Sequence, residues 1–258
     1  LRQPTQLSYV ATCRSTLAAL EGRFQEAERL ADEAFRYGEK AEREMAVIYR
    51  HVQLYVVRRA QGRLGELEEG IRRAVQEFPT YVVLRCVLAD LYAWLGRKDE
   101  ARAEFETLAA ERFSALPRND EWLYGMTLLA GVAAFLEEVQ PAATLYELLL
   151  PFRERNAVSA PDACNGSISH SLGILAGMLG RPDEAQQHFE YAVESNARIG
   201  ARPWEALTQY EYGRMLSKRA RPEDHTRALE LLRLCRQTAS ELGMQALLAR
   251  VAAVDELT

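Results

Sequence analysis

A short motif recurs along the chain and constrains its fold more strongly than any other feature. It consists of a Gly-Arg pair followed by an amphipathic segment. Four copies are LEGRFQEAERLADEA (residues 20–34), AQGRLGELEEGIRRA (60–74), WLGRKDEARAEFETL (94–108) and MLGRPDEAQQHFEYA (178–192). Two weaker copies occupy residues 135–149 and 218–235. Self-similarity of this kind predicts an array of structural repeats.

The spacing of the copies indicates helix pairs. The first packing residues of the second helices are Ala27, Leu67, Ala101, Ala143, Ala185 and Ala228, at intervals of 40, 34, 42, 42 and 43 residues. A period in this range is typical of a solenoid of helix pairs. The predicted first helices are 4–20, 41–60, 81–95, 121–136, 163–179 and 203–219. The predicted second helices are 24–37, 64–77, 98–112, 141–153, 182–199 and 222–242, with a last helix at 244–257.

The residues at the turns support this pattern. Gly22, Gly62, Gly96 and Gly180 follow the predicted ends of first helices. Glycine adopts positive φ there without a steric cost. Pro182 stands at the start of the next helix, where a missing N–H is harmless.

Two units resemble the tetratricopeptide repeat. In the fifth unit the matching residues are Leu172, Gly173, Gly180, Ala185, Phe189 and Ala192, and in the third they are Leu88, Ala89, Tyr92, Gly96, Ala101 and Phe105. The resemblance implies an all-α, right-handed superhelical solenoid of about six helix pairs with a C-terminal capping helix. The expected units are 4–40, 41–80, 81–118, 119–160, 161–201 and 202–243, followed by a cap at 244–258, in one domain spanning 1–258.

The longer units resemble those at the C-terminus of bacterial ATPase regulators of the LuxR and maltose-activator types and of adenylate-cyclase/ATPase proteins. Residues 146–216 are particularly similar to the cyclase type. The chain contains no Gly-Lys pair and therefore no P-loop, and it begins without Met. We therefore expect a fragment of a larger bacterial signalling or transcriptional regulator.

The resemblance also implies a concave groove lined by the first helices. Residues carried over to that face are Tyr49, Val52, Arg59, Cys86, Asp90, Trp94, Ser167, His170, Ile174, Met178, Tyr210 and Arg214, and Asn165 lies beside them. The aromatic and Arg side chains in this set are types enriched at binding hot spots. The expected ligand is a protein or peptide partner, an effector, or another domain of the same chain. Packing between repeats is the alternative role for each aromatic residue.

Residues 158–173 (VSAPDACNGSISHSLG) raise the question of catalysis. Ser167 and His170 are three residues apart on a predicted helix, whereas Cys164 is six residues from His170 and on another face. A nucleophile needs a base and a group that orients the base, and the sequence offers no third group. Ser159 or Asp162 is instead predicted to cap the helix at 163–179.

The sequence favours a non-catalytic interaction and regulatory module. A self-assembly scaffold or a small-ligand sensor using residues 162–170 are the alternatives.

Composition narrows the partners. The net charge is −5, with acidic and basic residues interleaved, which argues against direct binding of nucleic acid. The four Cys and four His show no metal-ligand spacing, so neither a metal nor a cofactor is expected. The longest apolar run, residues 127–136, is too short to cross a bilayer, and no signal peptide is expected. A cytoplasmic protein is expected.

Overall fold

The fold is a sequence of antiparallel helix pairs. A computed structural model of the 258-residue chain describes residues 3–219 and 221–255. The helices are α1 (Pro4–Leu20), α2 (Phe24–Gly38), α3 (Arg43–Gln61), α4 (Glu68–Glu77), α5 (Val82–Trp94), α6 (Lys98–Phe113), α7 (Trp122–Leu136), α8 (Val139–Leu149), α9 (Ile168–Met178), α10 (Pro182–Arg198), α11 (Arg202–Arg219), α12 (Pro222–Leu242) and α13 (Gln245–Asp255). Short 3₁₀ turns cover Leu64–Glu66 and Leu150–Phe152, and β1 (Asn156–Ser159) pairs antiparallel with β2 (Ala163–Ser167).

The all-α solenoid prediction is confirmed, because consecutive helices from α1 to α12 form six pairs and α13 follows them. Positions 1, 2, 220 and 256–258 of the predicted domain lie outside the described residues. The turn prediction is also confirmed. The four turn glycines have positive φ, with +84° at Gly22, +73° at Gly62, +74° at Gly96 and +71° at Gly180. In the fourth unit the same left-handed conformation is taken by Glu137, at φ +61°.

Small residues bring the paired helices together. Ala27, Ala101 and Ala185 are completely buried, as expected for close helix contacts. In the fourth unit the fully buried residue is Ala142, one position before the predicted Ala143. α8 is followed by a 3₁₀ turn rather than continuing to residue 153, because Pro151 lacks the N–H that a continued α-helix needs.

The predicted helix at 163–179 is wrong at its beginning. Residues 163–167 form β2, and the helix starts at Ile168. Val158 pairs with Cys164 and Ser159 with Ala163 across a turn that contains Pro161. Gly166 has a φ of +64°, a conformation that does not belong to a right-handed helix. Neither Ser159 nor Asp162 caps this helix, because its N-cap is Ser167. The Ser159 hydroxyl instead donates to the Asp162 carboxylate at 2.8 Å.

The two ends of the array meet. α1 contacts β2 and α11, and α3 contacts α13. A buried apolar cluster contains Phe24 and Leu30 from the first pair together with Trp204, Leu232 and Leu247 from the last elements. The Thr16 hydroxyl also donates to the backbone oxygen of Pro161 at 2.8 Å. The inner helices consequently surround a central space rather than an open groove.

Candidate ligand-binding cavity

The inner faces of α3, α5, α7, α9 and α11, together with β2 and α13, line a partly open cavity of about 260 Å³. Eight predicted groove residues line it: Arg59, Asp90, Trp94, Asn165, His170, Ile174, Tyr210 and Arg214. A more open groove of about 610 Å³ shares Ile174 and Arg214 with the cavity and adds Met178. The structure thus brings together residues that come from four of the predicted units.

Four predicted groove residues lie elsewhere. Val52 and Cys86 are completely buried in the apolar core, because α3 and α5 pack against neighbours on both sides. Burial also raises the pKa of the Cys86 thiol far above its usual range. Ser167 is buried, and its backbone N–H donates to Asn196 Oδ1 at 2.9 Å. Tyr49 is half-buried and outside the cavity lining.

The sequence-based prediction missed several cavity residues, among them Trp204, Glu211 and Arg250. Trp204 and Glu211 lie on α11, the same first helix as the predicted Tyr210, so a prediction that covered more of that helix face would have included them. Arg250 lies on α13, which was expected only to cap the array. Its position in the cavity follows from the meeting of the two ends.

Arg59 lies at the centre of a buried aromatic and charged cluster. Its guanidinium group is 3.5 Å from Asp90 Oδ2 and lies over the Trp204 ring at 4.9 Å from the ring centre. The Tyr55 hydroxyl donates to the same Asp90 oxygen. Burial raises the pKa of Asp90, although the charge of Arg59 opposes that change. Burial alone would lower the pKa of Arg59, but Tyr55 and Asp90 outweigh it and raise that pKa. Arg59 therefore remains a cation.

Two further Arg residues reach the cavity. Arg214 forms an ion pair with Glu211 at 2.8 Å. Arg250 stacks on Trp94, with its guanidinium carbon 3.4 Å from the ring centre. In the described part of the chain Arg250 has neither a hydrogen bond nor an ion pair, and burial lowers its pKa. With three Arg and two acidic side chains, the lining has a net positive charge.

His170 presents a neutral ring to the cavity. Burial lowers the pKa of His170 to about 4. The Thr208 hydroxyl donates to the Trp204 backbone oxygen at 2.7 Å, so it can only accept from His170 Nδ1 at 3.0 Å. The proton of the neutral ring is therefore on Nδ1. Nε2 is left as a hydrogen-bond acceptor, with no partner among the described residues.

Asn165 carries a buried acceptor without a donor among the described residues. Its side-chain amide donates to Thr127 Oγ1 at 3.1 Å, and the Thr127 hydroxyl donates onward to the Tyr124 backbone oxygen at 2.8 Å. This arrangement fixes which end of the amide is the donor. Asn165 Oδ1 is buried and has no hydrogen-bond partner among the described residues. A buried oxygen without a partner costs about 1–3 kcal/mol, and its burial leaves no room for a ligand atom beside it.

The structure separates the reactive side chains of residues 158–173. Asp162 and Cys164 line a small space between the two ends of the array, whereas His170 faces the central cavity. Burial raises the pKa of Cys164, which disfavours the nucleophilic thiolate. Across residues 3–219 and 221–255, no group of three or more His, Cys, Asp and Glu residues could hold a metal ion. The absence of catalysis stays a prediction.

No protein-family model matches the chain, and no curated protein matches it. Among solved structures, it is similar to a tetratricopeptide repeat protein from Parabacteroides merdae, with 18% sequence identity and a TM-score of 0.40. That similarity covers 93% of this chain and 99% of the other. The repeat architecture therefore rests on the helix pairs of this chain itself. Among its described residues, no helix has the length and apolar character needed to cross a membrane.

Proposed function

We propose that the chain is a non-catalytic regulatory module that binds a small effector in its central cavity. The observation that carries this proposal is a partly open cavity with a polar lining. Among the described residues, that lining includes an Arg without an ionic partner and a hydrogen-bond acceptor, His170 Nε2, without a donor. Polar groups in this state are costly unless a ligand or water completes their interactions. Cavities that stay empty are lined by apolar groups.

The size of the cavity favours an effector over a folded partner. An α-helix with its side chains is about 10–12 Å across, and small-molecule pockets typically have volumes of about 300–1,000 Å³. The central cavity, at about 260 Å³, is near the lower end of that range. The adjoining open groove, at about 610 Å³, gives a ligand access from the side of α9 and α11. An extended peptide end could occupy the groove, but a helix would not fit the cavity.

The wider role follows from the resemblance of the long repeat units to the C-terminal regions of bacterial signalling regulators. In that role, effector binding would stabilise the contact between the two ends of the array. The change in stability would then be conveyed to another domain of the same protein. Any difference in effector affinity between open and closed arrays shifts the equilibrium between them by the same free energy.

A variant that fills the cavity tests the proposal. Ala134 is half-buried and lines both the cavity and the adjoining groove, so Ala134→Trp would occupy the space of a ligand. Ala103 is exposed on α6, and Ala103→Trp is the matched control. We expect compounds from a library of polar metabolites to raise the melting temperature of the wild type and of the control only. If no compound stabilises the wild type, or if Ala134→Trp responds equally, the proposal is wrong.

Self-assembly is a second candidate, favoured by one surface feature. Val10 and Leu17 are seven residues apart on α1, so they share a helix face. Their exposed fractions are 55% and 54%. An exposed apolar face can mark a contact between proteins. Light scattering over a dilution series would reveal self-association. The double variant Val10→Glu and Leu17→Glu should abolish it, and a wild type that stays monomeric at all concentrations would remove this candidate.

A further inference from the structure

We infer that the ligand of the central cavity is a small organic acid that also carries a hydroxyl or amino group. This inference rests on the proposed function and adds the chemical class of the ligand. It follows from the charge, the hydrogen-bonding character and the size of the lining, each of which restricts the ligand independently.

The charge of the lining calls for an anion. Asp90 and Glu211 are each within 3.5 Å of an Arg side chain, namely Arg59 and Arg214. Arg250 has no such partner in the described part of the chain, and its stacking on Trp94 leaves the donor edges of the planar guanidinium group available. A guanidinium group binds a carboxylate through two parallel N–H···O bonds. A carboxylate beside Arg250 would balance the remaining positive charge.

The acceptor His170 Nε2 requires a donor on the same ligand. His170 lines the cavity, and its Nε2 has no donor among the described residues. A simple carboxylate has no hydrogen to donate and would leave this nitrogen unpaired. A hydroxy acid or an amino acid supplies the missing O–H or N–H, so it should be preferred over an acid that lacks this group.

The volume of the cavity limits the size of the ligand, and the remaining lining residues favour an apolar group on it. The cavity of about 260 Å³ is larger than the space that benzene occupies in an engineered protein cavity. By that comparison it has room for about ten non-hydrogen atoms. Trp94, Phe135 and Ile174 supply apolar surface beside the polar groups. Mandelate has this size and combines a carboxylate, a hydroxyl group and a phenyl ring. Phenylacetate lacks its hydroxyl group, and mandelamide lacks its charge.

Calorimetric titration of the full 258-residue chain with these three probes tests the inference. We expect mandelate, in one enantiomer, to bind at least about tenfold more tightly than phenylacetate or mandelamide. Equal binding of mandelate and mandelamide, or no binding of mandelate, would overturn the anionic class. Equal binding of mandelate and phenylacetate would overturn the need for a donor. These comparisons use only the wild type and do not depend on the folding of a variant.

Two substitutions assign the interactions. Arg250→Gln should weaken mandelate binding at least about tenfold and remove its advantage over mandelamide. Arg233→Gln, at an exposed position on α12, is the matched control and should leave affinity unchanged. His170→Phe removes the Nε2 acceptor and should reduce the advantage of mandelate over phenylacetate. Unchanged mandelate affinity in Arg250→Gln would contradict the inference.

Failure of this inference is distinguishable from failure of the proposed function. A neutral or cationic metabolite that stabilises the wild type but not Ala134→Trp would leave the cavity as a ligand site and exclude the acid as its ligand. Absence of any compound with that behaviour would remove both proposals.

Discussion

Asp162 shows how the fold changes the properties of a single residue. It lies in the turn between β1 and β2, is almost completely buried, and accepts a hydrogen bond from the Ser159 hydroxyl at 2.8 Å. Burial, together with the nearby Glu121 and Asp120 carboxylates, raises the pKa of Asp162 to about 7 although the Ser159 hydrogen bond opposes that change. The usual pKa of an Asp side chain is about 3.9. Over the interval between these values the folded state holds a proton that the unfolded state has released.

This difference predicts the pH dependence of stability for Asp162→Asn. Because the folded state binds more protons between about pH 4 and 7, the wild type should lose stability as pH rises through that interval. Asn does not titrate. The free energy of unfolding of the variant minus that of the wild type should therefore increase by up to about 1.4 kcal/mol for each pH unit. Urea unfolding of both proteins at about pH 5 and pH 7 measures the gap. A gap of equal size at the two pH values would show that Asp162 does not hold its proton.

The conformation of the β1–β2 hairpin depends on contacts with residues that are distant in the sequence. Gly166 occupies a place in β2 where an added Cβ atom would lie 2.5 Å from Asn196 Oδ1 and 2.9 Å from Trp204 Cβ. Asn196 in turn accepts from the Ser167 N–H, and the Trp204 indole N–H donates to the Cys164 backbone oxygen at 3.1 Å. The hairpin therefore joins α10 and α11 to the inner side of the array.

A pair of glycine variants tests this role. Gly166→Ala combines a left-handed backbone conformation with a steric clash, and we expect a loss of about 2–4 kcal/mol in the free energy of unfolding. Gly180→Ala has the same backbone conformation, at φ +71°, but open space around the added atom. The control should lose only about 1 kcal/mol. Equal losses in urea unfolding would show that the contacts of Gly166 with Asn196 and Trp204 do not matter.

What could be predicted from the sequence depended on whether the deciding interactions were local. The turns at Gly22 and Gly180 were predicted correctly because positive φ after a helix end is a local requirement. The start of α9 was not predicted correctly, because small polar residues are common both at the start of a helix and in a tight hairpin. The contacts that favour the hairpin come from Asn196 and Trp204, which lie 29 and 40 positions after the hairpin residues that they bond.

Closure of the array is a property of the whole molecule. Each repeat contacts its neighbours, and the small rotation between repeats adds up to an overall curvature that no single motif encodes. For this reason the inner face could be predicted in part, with Arg59, Trp94 and Tyr210 on it, whereas the participation of Arg250 could not. Arg250 lines the cavity because α13 contacts α3 and α11.

An engineered disulfide across this meeting point provides the sharpest test of the closure. A Cβ atom added at Gly62 would lie 3.7 Å from Gln245 Cβ. That separation is within the range of about 3.5–4.5 Å that a disulfide requires. We expect the Gly62→Cys and Gln245→Cys double variant to form an intramolecular disulfide, identified by peptide mass spectrometry. Gly96→Cys with Gln245→Cys is the control, because Gly96 has nearly the same φ but no neighbour within 4 Å. A Gly62→Cys and Gln245→Cys protein that stays reduced, or links no faster than the control, would contradict the closed array and the cavity within it.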